Sequence, residues 1–92
     1  MIEIIFIGVL AMAAPTYTKD IRPIVMNRCT PCHTGQVQGL PNFSKYEVAF
    51  KKRDKIMLRV VTQKSMPPGN FTNITDKERN LIKQWIDAGA KK

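Results

Sequence analysis

Residues 29–33 read Cys29-Thr30-Pro31-Cys32-His33. Two cysteines three apart with a histidine directly after them form C-x-x-C-H, the attachment signature of c-type haem. The spacing has a mechanical basis. Cysteines at this separation reach the two vinyl groups along one porphyrin edge, and the adjacent histidine then stands over the ring to ligate iron. Both cysteines become thioethers and leave no thiol for a disulfide. Two other readings compete for the pair: a thioredoxin-like redox site, which lacks its βαβ context here, and half of a zinc site, which lacks its second Cys or His pair. His33 is the only histidine of the chain. That excludes a second His ligand to iron and any Ser-His or Cys-His catalytic pair.

A six-coordinate haem takes a second axial ligand from the opposite side, and the neutral candidates are Met12, Met26, Met57 and Met66. Position separates them. Met12 lies in an apolar N-terminal segment, and Met26 precedes the motif by one helical turn and is tied to its side of the ring. Met57 falls on the apolar stripe of a helix and reads as core. Met66 instead follows a helix and precedes Pro67-Pro68-Gly69, a segment too restricted to continue that helix and stiff enough to hold a weak thioether bond. Met66 is therefore the expected distal ligand, a surface turn being the other reading. The remaining ring nitrogen of His33 should donate to a backbone carbonyl in the loop 39–41.

Working outward, helical signals surround the motif. Thr18 reads as the N-cap of a helix reaching about Arg28, with Asp20 in its first turn, Pro23 early, and Ile21, Ile24 and Val25 inward. Ser44-x-x-Glu47 has the form of a capping box before Tyr46, Ala49 and Phe50. Asp54 can cap a third helix with Ile56, Met57, Val60 and Val61 inward. Thr75-x-x-Glu78 is a second capping box, followed by the apolar stripe Leu81, Ile82, Trp85, Ile86 and a stop at Gly89. Nowhere does hydrophobicity alternate over a strand's length, so the expectation is an all-α domain of about four helices.

Composition bounds the rest. The chain has 92 residues, 43% hydrophobic and 8% aromatic, a size that excludes a large multi-step enzyme and lies near the lower limit for an ordinary core. A cofactor would supply the missing apolar volume. Residues 4–14 are apolar or small throughout, too short to cross a bilayer but suited to a signal peptide, with Ala11-Met12-Ala13 of the small-x-small form. The n-region carries Glu3 and no Lys or Arg, which points to a start further upstream or to an atypical signal, and the other reading is a hydrophobic N-terminal strand or helix of the fold. The expected division is a segment 1–14, removed on export, and a haem domain 15–92 in the periplasm or another extracytoplasmic space.

Fifteen Lys and Arg face seven Asp and Glu, a net charge of +8. The run Lys51, Lys52, Arg53, Lys55 and Arg59, with Lys64 beyond, reads either as a docking face for an acidic redox partner or as a solvated helix surface. Nucleic acid is a poor candidate, because no stacking aromatic cluster or DNA-binding motif accompanies the charge.

Cys29-x-x-Cys32-His33 after an N-terminal helix, Ser65-Met66-Pro67-Pro68, and the ending Thr75-Asp76-x-Glu78 with Trp85-Ile86-x-Ala88-Gly89-Ala90 together resemble the small class I monohaem cytochromes c. The closer likeness is to the planctomycete-type cytochrome c domain, over about residues 16–90. The resemblance implies the class I cytochrome c fold around one covalent haem c, with His33 as proximal ligand, Met66 as distal ligand, and first and last helices crossing near one haem edge. It also implies an electron carrier rather than an enzyme. Only 33 positions separate His33 from Met66, fewer than in the larger members, so the loops over the haem should be reduced and its propionate edge more exposed. Filled axial sites favour outer-sphere electron transfer, between respiratory redox proteins and as a monomer with no membrane span. The alternatives are a haem enzyme subunit, or a gas- or peroxide-reactive protein with a labile Met66, and a haem module held within a larger complex. Trp85 and Tyr46 are candidates either for packing against haem or bonding a propionate, or for ordinary core.

Overall fold

A computed structural model describes residues 14–30 and 32–92. The apolar segment 1–14, apart from Ala14, lies outside the described residues, and so does Pro31 within the cysteine motif. The described residues form four helices and no strands, in agreement with the all-α expectation. Helix α1 opens as a π-helical turn, Tyr17–Ile21, and continues as Arg22–Arg28. Helix α2 is Tyr46–Lys51. Helix α3 starts at Arg53–Ile56 and widens into a π-helix, Met57–Thr62. A short 3₁₀ turn, Pro68–Asn70, precedes α4, Asp76–Asp87.

Helix α4 follows its sequence signals closely. The Thr75 hydroxyl accepts from the Glu78 N–H at 3.1 Å while the Glu78 carboxylate accepts from the Thr75 N–H at 2.9 Å, so two amides of the first turn are satisfied reciprocally. At the other end Gly89 adopts φ +109°, and bonds from Ala90 N–H to the Trp85 carbonyl (2.7 Å) and from Gly89 N–H to the Ile86 carbonyl (3.1 Å) close a Schellman motif. Ile82 and Trp85 are buried and Leu81 and Ile86 half-buried, which makes α4 the wall against which the π-helical parts of α1 and α3 pack.

Three local expectations need correction. The N-cap of α1 is Thr16, not Thr18: its hydroxyl accepts from Lys19 N–H and its own N–H donates to the Asp20 carboxylate at 2.9 Å, a partner four residues on because the first turn is π-helical. Ser44 does not cap α2. Its N–H and hydroxyl both donate to the Asn42 side-chain oxygen, an Asx turn that outcompetes the capping box, and Lys45 stands at the N-cap. Asp54 sits inside the first turn of α3 after Lys52 rather than capping it.

Met57 also departs from its expected core role. It is half-buried and not packed into the core cluster, whereas Ile56, Val60 and Val61 are. The wider turn of the π-helix shifts the inward positions and leaves Met57 at their edge. Conversely Tyr17, unmarked in the sequence reading, is 2% exposed; its ring meets Tyr46 edge-on at 5.5 Å and Trp85 at 5.9 Å. The strip 90–92 gathers this end of the molecule. It accepts from Tyr17 N–H (2.9 Å), Thr18 N–H (2.9 Å), the Trp85 indole (2.8 Å) and the Tyr46 hydroxyl (2.8 Å), so two of the orphan amides at the start of α1 are satisfied by the residues that follow α4.

Candidate functional site

Between these helices lies a cavity of about 480 Å³, open on one side. That volume is within the roughly 300–1,000 Å³ of sites that hold small molecules and cofactors, and it is large for so short a chain. Cys29, Cys32, His33 and Met66 all line it. Four residues singled out in sequence, spread over 38 positions, thus border one space. The rest of the wall is mainly aliphatic and aromatic, including Val25, Ala49, Val60, Ile82 and Trp85.

Each side chain is placed by local structure. Cys29 caps the end of α1, its N–H donating to the Val25 carbonyl, and its own carbonyl accepts from His33 N–H at 2.8 Å, a turn that brings motif start and end together. His33 Nδ1 lies 2.9 Å from the Pro41 carbonyl oxygen. A carbonyl only accepts, so Nδ1 carries the hydrogen and the lone pair is on Nε2. This is the carbonyl bond anticipated in the loop 39–41. The ring is held further by Phe43, stacked on it at 4.6 Å, and by the bond from Phe43 N–H to the His33 carbonyl (2.7 Å). Phe43 in turn accepts from the Tyr17 hydroxyl, which links the histidine loop to the base of α1.

Met66 is half-buried and packs against the core. Its N–H donates to the Arg59 carbonyl (3.2 Å), as does Ser65 N–H (2.8 Å), so the segment folds back on the end of α3. Met26, by contrast, is exposed, and neither Met26 nor Met57 borders the cavity.

The two cysteines are unbridged. Burial pushes the Cys29 thiol up to about 11, and the nearby Glu78 carboxylate adds to the rise. Such a thiol is protonated at neutral pH, the opposite of the depressed value a redox-active C-x-x-C pair uses. Nor do three His, Cys, Asp or Glu side chains converge to hold a metal ion among the described residues, which leaves the zinc reading without its ligands.

The donor set and the walls do fit a covalently held haem: two thiols four residues apart inclusive, an imidazole with Nε2 free to coordinate, a thioether, and an apolar enclosure. Trp85 is fully buried and borders the cavity, but its indole N–H is engaged by Lys91, and Tyr46, bonded to Ala90, stands off the cavity. The donor of each is thus already engaged, Trp85 in the cavity wall and Tyr46 half-buried against the core.

Positive charge collects at the mouth instead. Of the basic run, Lys52, Lys55 and Arg59 border the cavity with no ion pair of their own among the described residues. Arg53 turns away, stacked 4.1 Å over the Phe50 ring, and Lys64 faces Asp76 at 3.5 Å.

Two residues that tie the cavity's surrounding segments together escaped the sequence reading. Arg28 donates to Glu78 (3.0 Å) and to the Thr72 carbonyl (2.7 Å), while the Thr72 hydroxyl donates to the Arg28 carbonyl (2.7 Å). These bonds staple the end of α1 to the start of α4. Arg79, only 5% exposed, donates to the carbonyls of Val60 and Met66. One signal could have found it: Arg79 stands three before Ile82 and seven before Ile86, a cation on the apolar stripe. Among the described residues no helix is long and apolar enough to cross a membrane. Compared with protein-family profiles, with curated proteins and with solved structures, the chain shows no significant match to any.

Proposed function

We propose that this protein is a single-electron carrier of the small class I cytochrome c type, with one haem c attached through Cys29 and Cys32 and ligated by His33 and Met66. The observation that carries the reading is the meeting of those four residues on one apolar cavity, with His33 Nδ1 committed to Pro41 so that Nε2 is the nitrogen offered to iron. When bound, the haem supplies a reversible Fe(III)/Fe(II) couple, and a thioether ligand favours the reduced form relative to a second histidine.

The chain's own contribution is to orient and enclose. Pro41 and Phe43 fix the imidazole plane, and the carbonyl bond raises its basicity as a ligand. The apolar walls exclude water from the macrocycle, and Lys52, Lys55 and Arg59 place positive charge beside the opening, suited to the two propionates. The same charges would steer an acidic redox partner to the opening, with a rate that falls as salt rises. Export before haem attachment follows if residues 1–14 act as a signal peptide, which puts the protein and its respiratory partners in the periplasm or an equivalent space.

The deciding experiment is an optical spectrum of the purified protein, oxidised and reduced. A reduced c-type spectrum unaffected by CO, with the weak far-red band of Met sulfur on ferric iron, is expected. Ready CO binding without that band would reject the carrier reading in favour of a reactive haem with an open or exchangeable site.

A further inference from the structure

Arg79 is the one buried charged side chain among the described residues. No carboxylate pairs with it; its Nη1 donates to the Val60 carbonyl and to the Met66 carbonyl, the latter at 2.9 Å. Removing a guanidinium from water is costly unless its hydrogens find acceptors, so these carbonyl bonds are what holds it there. Both acceptors need it. Val60 lies near the end of α3, where an i→i+5 bond to Ser65 N–H would continue the π-helix, but Ser65 N–H and Met66 N–H both turn to the Arg59 carbonyl. The Val60 carbonyl is thereby orphaned, and it sits at the negative end of the helix.

Met66 is consequently held from both sides, its N–H by Arg59 and its carbonyl by Arg79. Arg79 itself stands on the capped helix α4, one turn before Ile82 and two before Trp85, both in the cavity wall. The guanidinium therefore ties the segment that carries the thioether to the same rigid element that shapes the cavity.

We propose that Arg79 is a positioning residue for Met66, and that its two carbonyl bonds keep the thioether at the cavity and so close the distal side to small exogenous ligands. The proposal rests on the reading of Met66 as iron ligand. A thioether is a weak ligand that competes with CO through its high local concentration, and that concentration falls when the backbone carrying it is released. Loss of one charge-assisted hydrogen bond corresponds to roughly a ten- to hundredfold change in such an equilibrium.

The test compares haem-loaded wild type with Arg79→Gln, Arg79→Lys and Ile24→Ala, the last a buried core site that does not border the cavity and whose truncation lowers stability while leaving the Arg79 bonds in place. CO titration of the ferrous protein and the far-red band of the ferric protein are the readouts. Arg79→Gln should bind CO about ten- to a hundredfold more tightly and lose part of the band; Arg79→Lys, a point donor able to reach one carbonyl, should fall between; Ile24→Ala should match wild type. Wild-type CO affinity in both Arg79 variants, or an equal shift in Ile24→Ala, would overturn the inference while leaving Met66 ligation standing. Absence of the band in wild type itself would reject the ligand reading, and the positioning role with it. If Arg79→Gln yields no haem-loaded protein, Arg79→Lys against Ile24→Ala decides by the same criteria.

Discussion

If Cys29 and Cys32 attach the haem as proposed, replacing both, Cys29→Ala with Cys32→Ala, in cells or in refolding without added haem should leave the chain largely unfolded. A cavity of about 480 Å³ is what such a chain would have to keep without filler. At about 24 cal/mol per Å³, an enclosed void of this size costs on the order of 12 kcal/mol, an upper bound here because one side is open to water. Residues 15–92 number 78, and a domain of that length has about 4–12 kcal/mol of stability in total. The two figures are comparable, so little or nothing is left to hold the helices together. Far-UV circular dichroism through a thermal or urea ramp reads the outcome directly. A low helical signal and no cooperative transition are expected, with helicity restored when haem is covalently attached to the wild-type chain. A haem-free variant that melts cooperatively with full helical content would refute the reasoning, because the cavity would then be tolerated or collapsed without a cofactor.

Further outcomes are expected at single sites. Under the proposed ligation, Met66→Ala should keep haem held through Cys29 and Cys32, show a lower reduction potential by voltammetry and bind CO when reduced; an unaltered far-red band would remove Met66 from the ligand set. Met57→Ala should cost only about 1 kcal/mol in urea unfolding, as a half-buried side chain off the core. Gly89→Ala has no neighbour within 4 Å to clash with, so its cost is the backbone strain at φ +109° alone, about 1–2 kcal/mol. Glu78 gives a pH dependence. Burial would raise its carboxyl, but the Thr75 bonds and the Arg28 guanidinium outweigh that and hold it below the usual value. Its folded value is thus depressed, and its contribution is present above the ordinary carboxylate value of about 4.3 and is lost as pH falls through the folded one. Glu78→Gln, which keeps an acceptor for Thr75 N–H, should therefore lower stability at pH 7 and converge on wild type in acid, as urea midpoints at the two pH values would show.

The helices were legible where local chemistry decides them. Thr75, Glu78 and Gly89 act through neighbours in sequence, and α4 begins and ends where they indicate. The candidate site residues stood out through their patterns, C-x-x-C-H and Met-Pro-Pro, and Cys29, Cys32, His33 and Met66 all border one cavity. What sequence could not reveal were competitions settled by residues outside the local pattern. Ser44 had the right spacing to cap but was claimed by Asn42; Thr18 looked like a cap because a π-helical first turn is indistinguishable by eye from an α-helical one; Met57 lost its inward direction to the same widening in α3. Arg28 and Arg79 serve through partners 50 and 19 residues away, and a basic residue offers no clue to distant carbonyl acceptors unless its place on an apolar stripe is noticed. The cationic run divided in a way only three dimensions show, with Lys52, Lys55 and Arg59 at the opening and Arg53 folded onto Phe50.

Trp85 is the sole tryptophan of the chain, fully buried, and part of the cavity wall. Its light emission is consequently a single-site gauge of what the cavity contains. A strongly absorbing group against the indole would extinguish the signal by energy transfer, and separation of α4 from the motif would restore it. One fluorescence trace therefore follows the closing of α4 onto the motif around the cavity's contents, without a label and without disturbing a residue.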